Sequence, residues 1–148
     1  MSRLTLGDFA VKISLPVQWG EMDAANHVNN AVYMRWVESA RLAYFVEMGM
    51  DTTFRGQDAG PILAWQDCKY ILPVTYPDTV TIGIRTLQVE EDRFRMECGI
   101  FSEKHDRLVA IAKQVIVPYS FKALHKVSMP EAWLLGIDRI EAGGQSEE

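Results

Sequence analysis

Trp19-Gly20-Glu21-Met22-Asp23-Ala24-Ala25-Asn26-His27-Val28-Asn29-Asn30-Ala31-Val32-Tyr33 crowds two carboxylates, a histidine and three asparagines into a polar loop ahead of a long apolar run. A helix that starts there offers backbone N–H groups with no partner inside the helix, a natural place for negative charge. A carboxylate just before such a start can attack an acyl carbon or activate a water while the amides hold the oxyanion that forms. The loop chemistry therefore points toward acyl transfer or hydrolysis.

Working outward, the residues from Val28 to Met48 show helical spacing. Val32, Trp36, Ala40 and Ala43 form one stripe and Tyr33, Val37, Ala40 and Tyr44 another. The merged apolar surface is wide, so this helix is expected to be wrapped on most sides. Arg35, Glu38 and Arg41, three apart, are expected to form a solvated ion-pair ladder, and Gly49 to cap the helix. Before the loop, Phe9 to Trp19 reads as a strand. After it, strands are expected over Gly60–Leu72, Thr79–Val89, Arg93–Ser102 and Leu108–Tyr119. The last is apolar on both parities, as a central strand buried on two faces should be. Pro130 to Ile140 is expected as a short terminal helix and Gly143 to Glu148 as a disordered end. One helix followed by four strands in antiparallel meander implies a two-layer α+β domain with an exposed sheet edge that a second subunit could cover.

Composition narrows the function class. The 148 residues suit one domain, with 48% hydrophobic and 24% charged content. The net charge of −5 is uneven: −2 over residues 1–60, +1 over 61–126 and −4 over 127–148. That distribution argues against nucleic acid as the main ligand but leaves basic side chains in the middle segment for an anionic small molecule. Cys68 and Cys98 form no Cys-x-x-Cys pair and read as free thiols in strands, which fits a reducing cytoplasm. Neither a signal-peptide core near Met1–Asp8 nor a run of about 18 apolar residues is present, so no membrane span is expected.

The sequence lacks a Gly-x-Ser-x-Gly elbow, a Walker phosphate loop, a Gly-x-Gly-x-x-Gly turn and a His-Glu-x-x-His pair. His27, His105 and His125 are too dispersed to suggest a zinc site, and no metal site is expected. Carboxylate chemistry in the loop remains. Taken singly, Asp23 is more often a turn or capping aspartate, His27 a helix-start histidine, and Asn29 or Asn30 simply the N-cap. Trp19, Trp36 and Trp65 are read first as core or interface residues.

Taken together, Asp23-x-x-x-His27-Val28-Asn29-Asn30-x-x-Tyr33 resembles the signature of the hot-dog-fold thioesterases, in the branch of the 4-hydroxybenzoyl-CoA thioesterases and acyl-CoA thioester hydrolases. Arg35-Trp36-Val37-Glu38-Ser39-Ala40-Arg41, Cys68-Lys69-Tyr70-x-x-Pro73, Val115-Ile116-Val117 and Met129-Pro130 extend the resemblance over most of the chain. Asn26 stands where that family most often has glycine, and asparagine tolerates a left-handed backbone. The resemblance implies an α+β hot-dog fold: a long central helix wrapped by a curved antiparallel sheet of about five strands. That domain would span 1–128, with a short helix over 129–141 packed on it and a disordered tail over 142–148. It also implies a homodimer, or a tetramer of two dimers, with the active site between protomers.

The function expected on these grounds is hydrolysis of an acyl-CoA thioester to a free acid and coenzyme A. Asp23 would be nucleophile or general base, His27 would orient the loop or the substrate carbonyl, and the Asn29 and Asn30 amides would bind the oxyanion. Met22, Tyr33, Trp36 and Trp65 are candidates for an acyl pocket. Lys69, Arg85, Arg93 and Arg95, with Lys104 and Arg107, are candidates for the nucleotide phosphates. No cofactor is required beyond the coenzyme A of the substrate. The alternatives are a non-catalytic acyl-CoA or acyl-carrier binding module on the same scaffold and a purely structural dimerisation domain.

Overall fold

A computed structural model describes residues 4–51 and 58–145. In chain order the elements are β1 (Val11–Pro16), α1 (Asn30–Glu47), β2 (Ala59–Tyr70), β3 (Thr79–Val89), β4 (Phe94–Ser102), β5 (Arg107–Ser120), β6 (His125–Lys126) and α2 (Glu131–Gln145). All strand pairs are antiparallel and run in the order β1-β3-β4-β5-β2, with β6 adding two residues beside β5. The sheet wraps α1, whose Tyr33, Trp36, Val37, Ala40, Tyr44 and Phe45 are buried against it. This is the α+β hot-dog arrangement.

The element types follow the local chemistry. In β4, Phe94, Met96, Cys98 and Ile100 point under the helix at period two. β5 is buried along most of its length because it lies between β4 and β2 and is covered on both faces. On the outer face Gly83 and Gly99 are cross-strand partners beneath the Phe9 ring. A Cβ on Gly83 would come within 2.5 Å of that ring, so the bare backbone is what lets Phe9 seat.

Three expectations need correction. The four later strands are not a meander, because β2 pairs with β5 at the far edge and β3 pairs with β1. Local patterning cannot reveal this: the link from Ile71 to Asp78 carries the chain across the end of the sheet, and β2 has the same period in either place. Arg41 is not on a solvated ladder. It is 9% exposed, because α1 turns it toward the sheet on the side of Cys98. Residues 142–145 are not a disordered tail but continue α2, which is pinned to the domain from below. Glu141 accepts from the Tyr44 hydroxyl at 2.6 Å and from the Thr86 N–H at 3.1 Å, and Arg139 donates to the Glu47 carbonyl at 2.6 Å. Residues 146–148 of that expected tail lie outside the described residues.

Candidate active site

The polar loop between β1 and α1 is a tied structure. A 3-10 turn over Trp19–Glu21 leads into an isolated antiparallel bridge between Met22 and Val28. Within that bridge Asp23 N–H donates to the His27 carbonyl at 2.9 Å and Asn26 N–H to the Asp23 carbonyl at 3.0 Å. Asn26 has φ 60°, the left-handed conformation that its side chain tolerates and most others resist. The loop is then fixed to the sheet, since Val28 N–H donates to the Val74 carbonyl at 2.8 Å and Tyr76 N–H to the Met22 sulfur at 3.5 Å.

Asp23 is exposed, and its Oδ1 accepts from the Ala25 N–H at 2.9 Å. That bond sets the carboxylate rotamer, while Oδ2 has no protein donor among the described residues. Asn29 is the N-cap of α1: its Oδ1 accepts from the Ala31 N–H at 2.9 Å. Its own N–H is also committed, to the Glu21 carbonyl at 2.9 Å. Of the two amides expected to hold an oxyanion, only that of Asn30 is open among the described residues. It is the first N–H of an 18-residue helix, where the helix dipole adds to its pull on negative charge.

Asp23, His27, Asn30 and Tyr33 line one pocket of about 390 Å³, together with Ala25, Val28, Tyr70 and Ile71-Leu72-Pro73. The link that carries the chain from β2 to β3 thus supplies one wall and, through Val74, the anchor of the opposite one. Tyr70 is a pocket residue that the sequence reading did not single out. It packs edge-on against Tyr33 at 4.9 Å between ring centroids, and its hydroxyl donates to the Asn30 carbonyl at 3.2 Å. The alternation of β2 was the signal that could have found it: Tyr70 shares the helix-facing side with Cys68. Burial pushes the Tyr33 hydroxyl up in pKa, partly offset by a hydrogen bond with the Val74 backbone. Burial likewise pushes the Cys68 thiol up and Tyr70 to about 12, so all three groups keep their protons at physiological pH.

Other expected site residues fall elsewhere. Trp36 is 3% exposed in the core, where its ring packs at a tilt of 52° against Tyr33 with 5.0 Å between centroids, and does not line the pocket. Met22 does not line the pocket but ties the loop down, bridging to Val28 and accepting from the Tyr76 N–H through its sulfur. Trp65, 54% exposed, lies on β2 five residues from Tyr70, about 17 Å along a strand. Lys69 sits on the face of β2 away from Tyr70. Arg85 lies on the outer face, bound to Glu97 at 2.8 Å with its guanidinium 5.3 Å from the Phe9 ring centroid. Arg93 pairs with Asp92 at 3.0 Å and Arg95 with Glu90 at 2.8 Å, both at the end of the sheet remote from Asp23. Their charges are spoken for by neighbours the turn Glu90-Glu91-Asp92 supplies. Lys104 and Arg107 lie at the same end as the loop, Lys104 donating to Thr75 Oγ1 at 3.0 Å. Among the described residues no group of three or more His, Cys, Asp or Glu could hold a metal ion, and no helix is long and apolar enough to cross a membrane.

Comparison with known proteins agrees with this architecture. A thioesterase from Thermus thermophilus, solved in complex with coenzyme A and zinc, is 27% identical and superposes with a TM-score of 0.79 over 91% of this chain and 97% of its own. A DHNA-CoA thioesterase from Staphylococcus aureus is 16% identical, with a TM-score of 0.80 over 93% and 95%. A 1,4-dihydroxy-2-naphthoyl-CoA thioesterase from Synechocystis is also 16% identical, with a TM-score of 0.77 over 86% and 94%. The sequence profile of the thioesterase-like superfamily matches residues 17–136, which take in the polar loop, α1 and every strand from β2 to β6. By that match, the chain belongs to the thioesterase-like superfamily.

Proposed function

We propose that this protein hydrolyses acyl-CoA thioesters to a carboxylic acid and coenzyme A. The observation that carries the reading is the meeting of the Asp23 carboxylate and the open Asn30 amide in one pocket at the start of α1. The superfamily match and the coenzyme A held by the Thermus thermophilus relative support the substrate class.

In this mechanism the thioester carbonyl sits with its oxygen toward the Asn30 N–H and its carbon near Asp23 Oδ2. The carboxylate either adds to that carbon, giving a transient mixed anhydride that water cleaves, or takes a proton from a water that adds in its place. In both routes negative charge gathers on the carbonyl oxygen, where the helix N-terminus opposes it. Collapse of the tetrahedral species expels the coenzyme A thiolate, a good leaving group that needs no strong acid. His27, on the pocket rim, orients the loop or the substrate. Tyr33, Tyr70 and the Ile71-Leu72-Pro73 wall receive the acyl group. Lys69, Lys104 and Arg107, which form no ion pair among the described residues, take over the phosphate role expected of the paired arginines. The pocket is open on a single chain, and β2 is an edge strand showing Ile62, Leu63 and Trp65 at 39%, 36% and 54% exposure. A homodimer that continues the sheet through β2 would cover both.

Thiol release from a panel of short, long, branched and aromatic acyl-CoAs tests the assignment. Turnover on any class supports it. Tight binding without turnover would make the chain a binding module instead, and neither would leave only the scaffold reading.

A further inference from the structure

The first turn of α1 is shaped by bonds to residues close in sequence. Asn29 N–H donates to the Glu21 carbonyl, Ala31 N–H to Asn29 Oδ1 and Val32 N–H to the Asn29 carbonyl, each at 2.9 Å. These bonds form the turn without setting its distance from β2, the strand that carries the other wall of the pocket. Tyr70, at the end of β2, supplies that link. Its hydroxyl donates to the Asn30 carbonyl at 3.2 Å, across 40 residues of sequence. Its ring meets Tyr33, one helical turn further on, edge-on at 85° with 4.9 Å between centroids. One polar and one apolar contact on the same turn of helix thus hold the ring as a brace. The hydroxyl is a donor throughout the physiological range, because burial pushes it up to about 12. The neighbouring Cys68 sulfur is a weaker acceptor than the carbonyl. Yet Tyr70 is 46% exposed on an edge strand, and the bond is longer than the usual O–H···O distance, so the fold has little need of it. The bond falls instead on the residue whose own N–H is open in the pocket among the described residues.

We propose that the Tyr70 hydroxyl is a positioning group for the reaction: by holding the Asn30 carbonyl it fixes the open Asn30 N–H relative to the wall where the acyl group lies. The inference rests on the thioesterase reading of this pocket. The ring of Tyr70 bounds the acyl group, while its hydroxyl acts on the chemistry only through Asn30. An oxyanion donor gives its full effect when it is held in place before charge develops, so a helix start that moves against β2 weakens the transition state. Binding of the thioester draws on the acyl wall and the phosphate contacts, which the hydroxyl does not touch. Loss of the hydroxyl is therefore a loss in kcat and not in KM.

Tyr70→Phe keeps the ring and removes the hydroxyl. Steady-state thiol release, a thermal melt and NMR relaxation of the Asn30 N–H test the role together. With the melting temperature close to the parent's, kcat should fall about 10-fold while KM moves by less than about 2-fold. The order parameter of the Asn30 N–H should drop from about 0.85 toward about 0.6, while that of Ala40, in the middle of α1, stays at the rigid value. Parent-level kcat in the folded variant overturns the proposal. So does a loss carried by KM, or a fall in kcat with the Asn30 order parameter unmoved, since either places the hydroxyl on the substrate. The relaxation measurement needs no turnover. A parent that releases no thiol from any acyl-CoA sinks the thioesterase reading, whereas the brace then stands or falls on the Asn30 order parameter alone.

Discussion

The N–H of Asn29 donates to the carbonyl oxygen of Glu21 over 2.9 Å, so the residue that caps α1 is itself held by the turn preceding the loop. This bond commits the Asn29 amide and leaves that of Asn30 open at the start of α1 among the described residues. It also makes the entry to α1 a rigid unit, with side chain and backbone of one asparagine each committed.

Asp23→Asn should fold with little change in melting temperature, because an asparagine Oδ1 can still accept from the Ala25 N–H. Its kcat should fall by roughly 10²–10⁴-fold, the range for loss of a general base, and further if Asp23 is the nucleophile. Glu21→Gln should cost far less, since Glu21 meets the site through its backbone carbonyl while its carboxylate closes a turn to Gln18 at 2.6 Å. Near-normal turnover by a folded Asp23→Asn chain would remove Asp23 from the mechanism.

Asn29→Ala should lower stability by about 1 kcal/mol, the usual cost of an N-cap, and Asn29→Asp should restore it. Because the cap steadies the helix start that carries the open amide, kcat should drop in the alanine variant while KM moves little. Thermal melts paired with steady-state kinetics check both halves.

Replacing Lys69, Lys104 and Arg107 together by alanine should raise KM for an acyl-CoA and flatten its dependence on salt, with kcat nearly unchanged. Arg93→Ala and Arg95→Ala should leave KM close to the parent value, since these side chains already answer Asp92 and Glu90. A KM rise confined to the arginine variants would move the phosphate site to the other end of the sheet.

Stability should decline above pH 9, and Cys98 is the first cause. Its thiol is pushed by burial from 9.0 to about 12. The folded chain therefore keeps a proton that the unfolded chain releases as pH rises from 9 toward 12. The stabilisation is complete below pH 9 and lost through that window, at about 1.4 kcal/mol per pH unit for one group. Buried Tyr44, pushed upward by desolvation and by Glu141, adds to the loss above pH 10. Chemical denaturation at several pH values should show a shallower decline for Cys98→Ala. Iodoacetamide at pH 8 should spare Cys98 in the folded chain and modify it once unfolded.

The sequence by itself determined the element types and most of their positions. Helical spacing marked α1, alternation marked β3 within its observed bounds, and double-parity burial marked β5 as central, because side-chain period is a local property of the backbone. The loop motif likewise sets Asp23, His27 and Asn30 close together, since a helix start and the residues before it are neighbours in the chain, and the three line one pocket. Only the tertiary structure decided which strands pair, and with that which charges are free. Whether β2 lies beside β3 or beyond β5 depends on how the Ile71–Asp78 link crosses the sheet end, a choice made by packing over long sequence separations. That crossing builds the second wall of the pocket and brings Tyr70 into it. The same distant pairings set Glu97 beside Arg85 and turned Arg41 inward, where a sequence of alternating charges had promised only a wet helix face.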